Sequence, residues 1–409
     1  MHRPGHLRHH RRYPQSGPGR AVTAGPPQQV GIGVLGYNGV ARAHLLAVQR
    51  VATIFWPPAV HPLLIAVAGR SADRVEQAAQ RYGAQAAYPD WQRLIDDRRV
   101  QVLINAGPND VHAEASLAAA TRGLHVLCEK PLARTSGEAA QMRDAAVAAR
   151  IVHMTGYNYR FVPAVLLARR LIRDGRLGRI YHFRGRYCDD SMIDPQVLYT
   201  WRHTRARAGS GVIGDLAAHA LDLARFLVGE ITAVSATARI FVDRRPRREG
   251  GVGTVDVEDA IEAVLEFSSG AIGTLEASTF CPGRKNFLTF EINGADGSLV
   301  FNLERLNELD LFLREDGANG FRTVLVTEAH HPYGGTWWPP GHTLGWEHTF
   351  VHQLQRFLGA VAGQSPIAPD GATFEDGYRC AVICDALDRA AREARRVTVD
   401  GPVTPERTA

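Results

Sequence analysis

From Val30 onward the sequence repeats a strand, a turn and a helix, and that rhythm constrains the fold more than any other feature. Val30–Leu35 is an apolar, β-rich run; Gly36-Tyr37-Asn38-Gly39 breaks it, and Val40–Val51 then has helical periodicity. A second strand is expected over Leu63–Ala68, followed by a helix from Ser71, a good N-cap residue, to about Tyr82. Val100–Asn105, His125–Cys128 and Ile151–Thr155 read as further strands, separated by alanine-rich helices over 111–122 and 136–149. Strands that are apolar throughout and alternate with helices imply a parallel sheet covered on both faces.

After about residue 156 the rhythm changes. Runs at 180–188, 231–243, 258–268, 271–279, 286–293 and 298–302 read as adjacent strands with glycine-containing turns, hence a largely antiparallel sheet. Helices are expected at 163–174, 215–228, 345–362 and 374–394. The predicted architecture is α/β. A doubly wound, Rossmann-type domain spans 29–155, and an α+β domain with a large, mostly antiparallel sheet spans 156–400. Tails of 1–28 and 401–409 flank them.

The net charge of +5 misleads, because Arg3, Arg8, Arg11, Arg12 and Arg20 supply all of it within a first segment that has no acid. The remainder balances at 42 basic and 42 acidic residues, which argues against a nucleic-acid partner. Rich in His, Pro and Gly, that first segment is expected to be disordered. Arg11-Arg12 lacks the apolar stretch that an export signal needs, and no 18-residue apolar run suggests a membrane span. Five cysteines without a C-x-x-C pair suit reduced thiols in a cytoplasm.

The strand–turn–helix at Val30–Val51 is where a dinucleotide-binding loop belongs. A strict G-x-G-x-x-G occurs at Gly31, Gly33 and Gly36, but its first two glycines fall inside the strand. The functional register is Gly36-x-Asn38-x-x-Ala41 with Gly39 as an extra small residue, so Gly36, Tyr37, Asn38, Gly39 and Val40 are expected to meet a pyrophosphate. In this register Gly36 makes the tight turn, Asn38 tolerates left-handed geometry, and Ala41 permits close helix–strand contact. The second strand ends Ala68-Gly69-Arg70-Ser71 without the acidic residue that favours NAD. Arg70 and Ser71 suit a 2′-phosphate, which tilts the expectation for NAD(P) towards NADP; a solvated Arg70 and an NAD enzyme is the competing reading.

Only two of the 47 basic residues are lysines, Lys130 and Lys285. Where nearly every cation is arginine, a lysine after an apolar strand, in Cys128-Glu129-Lys130-Pro131, marks chemistry that a permanently charged fork does not serve. Lys285 reads as residual codon noise. Downstream, Asp215, His219 and Asp222 share one helical stripe behind Gly209-Ser210-Gly211-Val212-Ile213-Gly214. A histidine near a helix N-terminus tends to stay neutral, as a general base must, and a carboxylate one turn back can fix its tautomer. Spacing alone favours an N-cap aspartate beside an ordinary, partly buried histidine.

Taken in order, the Gly36 loop, Pro108-Asn109-Asp110-Val111-His112, Glu129-Lys130-Pro131, Asn158-Tyr159-Arg160, and Gly214-Asp215 with His219 resemble the glucose–fructose oxidoreductase / inositol dehydrogenase / rhizopine-catabolism (Gfo/Idh/MocA) family over about 29–400. Phe55-Trp56-Pro57-Pro58, Thr200-Trp201-Arg202, Asn302–Leu309 and Gly320-Phe321-Arg322-Thr323 resemble its levoglucosan-dehydrogenase branch. Gly107 stands where Thr is usual, and Asn38 replaces the second loop glycine. The resemblance implies that His219 takes a proton from a secondary hydroxyl while hydride leaves its carbon for nicotinamide C4. Lys130 would stabilise the developing alkoxide, and Asp215 would orient His219. It further implies that Gly107, Pro108, Asn109, His112 and Glu129 line the cofactor. Asn158, Arg160, Trp201 and Arg202 would line the nicotinamide end or the substrate. A cis Lys130–Pro131 bond and a homodimer or homotetramer are also implied.

The expected function is NAD(P)-dependent oxidation of a sugar, cyclic polyol or glycoside, without a metal. Two alternatives stand beside it: a relative that retains its cofactor for transient oxidation (glycoside cleavage or epimerisation), and a non-catalytic sugar or dinucleotide sensor. His348-x-x-x-His352 has helical metal-ligand spacing but no paired motif. Asp189-Asp190 suits sugar hydroxyls or a strand end. Trp337-Trp338-Pro339-Pro340 with His330 and His331 suits a loop over the pocket or surface packing.

Overall fold

The computed structural model describes residues 28–317 and 319–399. Apart from Gln28, the two expected tails lie outside the described residues. Six parallel strands, β1 (Gln29–Leu35), β2 (His61–Ala68), β3 (Ala86–Tyr88), β4 (Val102–Asn105), β5 (His125–Cys128) and β6 (His153–Thr155), form a sheet of order β3-β2-β1-β4-β5-β6. Strand order reverses between β1 and β4, which opens a crevice at their carboxyl ends where dinucleotides bind in such sheets.

Helices α1 (Val40–Ile54) and α2 (Ala72–Tyr82) bury Leu45, Val48, Val51, Val75 and Tyr82 against one face of the sheet. Helices α3 (Trp91–Asp96), α4 (Asn109–Thr121) and α5 (Ser136–Ala148) bury Leu94, Ala115, Ala119 and Met142 against the other. Gly31 and Gly33 lie within β1 for packing reasons. A Cβ on Gly31 would stand 1.8 Å from the Arg99 carbonyl oxygen, and one on Gly33 would stand 2.7 Å from the Leu94 side chain.

The second sheet has nine strands. They are β7 (Ile180–Cys188), β8 (Ile231–Arg239), β11 (Ala260–Phe267), β12 (Ile272–Ser278), β13 (Phe287–Gly294), β14 (Gly297–Asn302), β15 (Glu308–Leu313), β16 (Arg322–Leu325) and β17 (Val397–Thr398); a separate hairpin forms from β9 (Arg244–Pro246) and β10 (Val252–Thr254). The order is β16-β15-β14-β13-β7-β12-β11-β8-β17, and only β7–β12 pair in parallel. Period-two alternation along β7, β11, β12, β14 and β15 buries one face. That face packs on α6 (Pro163–Arg173), α8 (Ala218–Leu227) and α10 (Phe374–Glu393). The opposite face leaves Val264 and Ile272 exposed.

Two features join the sheets. Helix α9 (His348–Val361) leaves the second sheet and packs Phe350, Leu354 and Phe357 into the core beside α1, while α10 contacts both α5 and β8. Between α6 and α8 runs the short α7 (Arg205–Ala208), followed by a π-helical turn at Ile213–Ala217. The continuous helix expected over 215–228 therefore begins as a π turn, and that turn carries Asp215. Among the described residues no helix is long and apolar enough to cross a membrane.

Candidate active site

A cleft of about 920 Å³ opens between the two sheets at the β1/β4 reversal. Its floor is the β1–α1 turn. Gly36 (φ 111°) makes the sharp corner, where a Cβ would meet the Ala106 carbonyl oxygen at 2.6 Å. The second residue of the turn with positive φ is Gly39 (φ 54°), so the tolerance of Asn38 for that geometry is not used. Helix α1 starts at Gly39 with no side-chain cap and no acid in its first turn, so its N-terminal end faces the cleft uncompensated. Space over Gly39 is open, with nothing within 4 Å of a Cβ position. These features fit a dinucleotide pyrophosphate, held by the 36–40 turn and the α1 N-terminus.

Arg70 lines the cleft at the end of β2; Ser71 does not. Ser71 takes the N-cap position of α2 but makes no capping hydrogen bond, so its hydroxyl is not committed to the helix. Pro89, Asp90, Trp91 and Gln92 line the same end. The sequence reading missed them because β3 and α3 are three and six residues long, too short for periodicity to register. The only local signal is Asp90, whose carboxylate accepts from Arg93 N–H as an N-cap.

Gly107, Pro108 and Asn109 follow β4 along the cleft wall. His112 lines the cleft beside them: it is 1% exposed, and its ring nitrogens lie 2.9 and 3.0 Å from the carbonyl oxygens of Pro131 and Gly107. Glu129 is also buried. Its Oε1 meets His44 Nε2 of α1 at 2.7 Å, and its Oε2 accepts from Lys130 N–H, so β5 and α1 are clamped together beside the turn. The Lys130–Pro131 bond is cis, as expected.

Lys130 Nζ crosses to the second domain. It donates to the Asp215 carbonyl oxygen at 2.7 Å and to Asp215 Oδ1 at 2.8 Å. The Lys130 ammonium holds the Asp215 carboxyl down at about 2 against the effect of burial. His219, 6% exposed, lines the same cleft. Burial first, and Lys130 second, push its pKa well below the ordinary imidazole value, so its ring is neutral. Among the described residues its buried Nδ1 has no hydrogen-bond partner. The expected Asp215–His219 orienting bond is absent: Asp215 is committed to Lys130, and aromatic rings hold the imidazole instead. Tyr159 lies against it at a centroid distance of 4.4 Å, with Tyr187 at 5.8 Å and Tyr157 at 6.0 Å.

Asn158, Trp201 and Arg202 line the cleft as expected, with the Arg202 guanidinium 4.3 Å over the Trp201 ring. Arg160 does not line it. It is 2% exposed and donates to Asp222 at 2.6 and 2.8 Å and to Asp376 at 3.1 Å, so its expected substrate contact gives way to a buried ion cluster. The sequence reading missed Tyr159, Tyr187, Arg207, Trp346 and Phe350, all of which line the cleft. Tyr187 was recoverable from the parity of β7, where it shares a buried face with Phe183. Across the mouth, Arg207 Nε donates to Asp110 Oδ2 at 2.7 Å and Asn109 Nδ2 to the Ala208 carbonyl at 2.9 Å, tying α4 to α7.

The remaining candidates fall elsewhere. Lys285 pairs with Asp190 at 2.6 Å, and Asp189 accepts from Ser191. His352 Nε2 accepts from Trp337 Nε1, and its Nδ1 faces the Phe161 carbonyl, so neither ring nitrogen is left for a metal. Trp337, Trp338, His330 and His331 do not reach the cleft. Cys128 is fully buried, and burial pushes its thiol pKa far up, so it is inert.

A crevice at a sheet reversal, floored by a bare helix N-terminus and lined by a lysine, an aspartate and a neutral histidine, defines a dinucleotide-dependent oxidoreductase. The chain belongs to the Gfo/Idh/MocA family. Residues 30–157 match the oxidoreductase family's NAD-binding Rossmann fold, and residues 165–300 match the Gfo/Idh/MocA C-terminal domain. By that match it is an NAD-binding oxidoreductase, and relatives of it are named sugar and polyol dehydrogenases. It is 40% identical over 384 residues to the levoglucosan dehydrogenase of Pseudarthrobacter phenanthrenivorans, covering 90% of this chain and 97% of that protein. Identity to the myo-inositol 2-dehydrogenase of Thermotoga maritima is 27% over 375 residues, covering 90% and 98%. A solved levoglucosan dehydrogenase in complex with NADH and levoglucosan superposes with a TM-score of 0.88 at 40% identity, covering 91% of this chain and 100% of that one.

Proposed function

We propose that this enzyme oxidises a secondary hydroxyl of a sugar, cyclic polyol or glycoside, with Lys130 and His219 acting on the same oxygen. The observation that carries this reading is that both side chains line the one cleft whose floor is the β1–α1 turn and the bare α1 N-terminus. His219, kept neutral by burial and by Lys130, is a base able to accept the hydroxyl proton. Lys130, fixed by two oxygens of Asp215, donates to the oxygen as negative charge develops there. Asp215 thus positions the lysine, while the tyrosines position the imidazole. Bound in the cleft, the nicotinamide supplies the two-electron acceptor for the carbinol carbon.

Arg70 in the cleft, with no acid at the end of β2, supports acceptance of NADP alongside NAD. The open face of the nine-stranded sheet supports a homodimer or homotetramer. Five unpaired cysteines support a reducing compartment, the cytoplasm.

The test is a panel of cyclic polyols, pyranoses and pyranosides with each cofactor, followed at the absorbance of reduced nicotinamide. Net reduction by at least one sugar or polyol is expected. Product formed without net reduction would move the enzyme to the transient-oxidation class. A KM for NADP far above that for NAD would remove the role given to Arg70.

A further inference from the structure

A smaller cavity of about 270 Å³ adjoins the cleft and is lined by Asn286, Glu304, Arg305, Asn307, Thr343 and Trp346, with leucines between them. Trp346 is the shared wall, since it lines both spaces. On the cleft side its Nε1 donates to Tyr159 OH at 3.4 Å, beside His219, while the indole remains 39% exposed. Asn286 makes a second link: its Oδ1 accepts from Tyr187 OH at 2.6 Å, and among the described residues its Nδ2 has no partner.

The walls of this cavity are fixed before anything binds. Asn307 exchanges both amide hydrogen bonds with Leu344, at 2.9 and 2.8 Å, which fastens the 343–346 segment to the turn after β14. Glu304 Oε1 accepts from the N–H groups of Lys285 and Asn286, which fixes the loop ahead of β13. A pre-formed wall lowers the ordering cost of binding. The space is below the range of about 300–1,000 Å³ usual for whole ligand pockets, which is the scale of one ring appended to a ligand seated in the larger cleft. Its chemistry is that of a sugar ring: an indole face for the C–H surface, and an amide, a hydroxyl, a guanidinium and a carboxylate for hydroxyl groups.

We propose that this cavity is a second sugar subsite and that the enzyme's preferred substrate is a disaccharide-type glycoside. Its reacting ring sits beside Lys130 and His219, and its second ring lies beyond Trp346. This inference rests on the dehydrogenase reading.

The experiment compares kcat/KM for gluco-, galacto- and manno-disaccharides with that for the matching methyl glycosides. It is repeated in Arg305→Ala and in Thr343→Trp, which fills the cavity; calorimetry on NADH-loaded enzyme measures the same ligands without turnover. At least one disaccharide is expected to exceed its methyl glycoside by about tenfold, and both variants are expected to remove that gain while changing the methyl glycoside less than about twofold. Equal values for the two ligand classes, or variants that depress both alike, would overturn the subsite. A gain confined to aryl glycosides would overturn its assignment to a sugar. If disaccharides bind in calorimetry yet nothing reduces the nicotinamide, the subsite stands and the dehydrogenase reading fails.

Discussion

Lysine and arginine carry the same charge, but only lysine is a compact point donor, and Lys130 is where the difference counts. Its Nζ bonds two oxygens of one residue, Asp215, in a space that a planar guanidinium fills differently. Lys130→Arg is expected to lower kcat by about 10²–10³, the range for losing one well-placed donor. Cofactor affinity, measured by calorimetry, should stay near the wild-type value; near-normal kcat would end the argument for Lys130. The imidazole gives an independent check. Burial and Lys130 lower the His219 pKa, so the acid limb of kcat/KM should fall well below pH 6.5. Removing the cation in Lys130→Met should shift the residual activity's acid limb upward, because that charge lowers the pKa. At this scale the sequence placed Lys130, His219 and Asp215 in one site through ordered motifs, but not the Lys130–Asp215 bond. Spacing along a helix reports neighbours on that helix, and this bond crosses between domains.

At the scale of elements, the ion cluster linking the 158–161 turn, α8 and α10 replaces a substrate contact. Burial pushes the Asp376 carboxyl up, yet Arg160 and Arg225 hold it at about 2. The carboxyl is thus depressed from 3.8 in folded protein. The stability it contributes is present above that value and lost as pH falls towards about 2. Arg160→Met leaves Asp222 and Asp376 short of their cation and should cost about 3–5 kcal/mol. Denaturant unfolding should show that loss, with acid unfolding moved to higher pH, while the KM of the folded fraction for substrate changes little. A large KM effect without loss of stability would restore Arg160 to the substrate site. Long elements were legible because β1, α1 and the alternating strands bury whole faces. The short β3 and α3, the β9–β10 hairpin, and β15 and β16 were not, since each has too few residues to establish a period or was read only as a motif.

For the whole molecule, the arrangement that matters is two sheets meeting over one crevice, braced by α9, α10 and the Arg207–Asp110 pair. The two-layer plan was readable from the change of rhythm near residue 156. The return of α9 to the first core was not, because an amphipathic helix does not reveal which core it joins. The exposed Val264 and Ile272 lie on the open sheet face. Ile272→Arg should lower the mass seen by light scattering after gel filtration; an unchanged mass would put the subunit contact elsewhere. The most direct measurement is a crystal structure with nicotinamide cofactor and a substrate sugar both bound. One sugar oxygen is expected within hydrogen-bonding distance of Lys130 Nζ and of the His219 ring, with its carbon facing the nicotinamide. A sugar bound with those two side chains on different oxygens, or outside the cleft, would contradict the account.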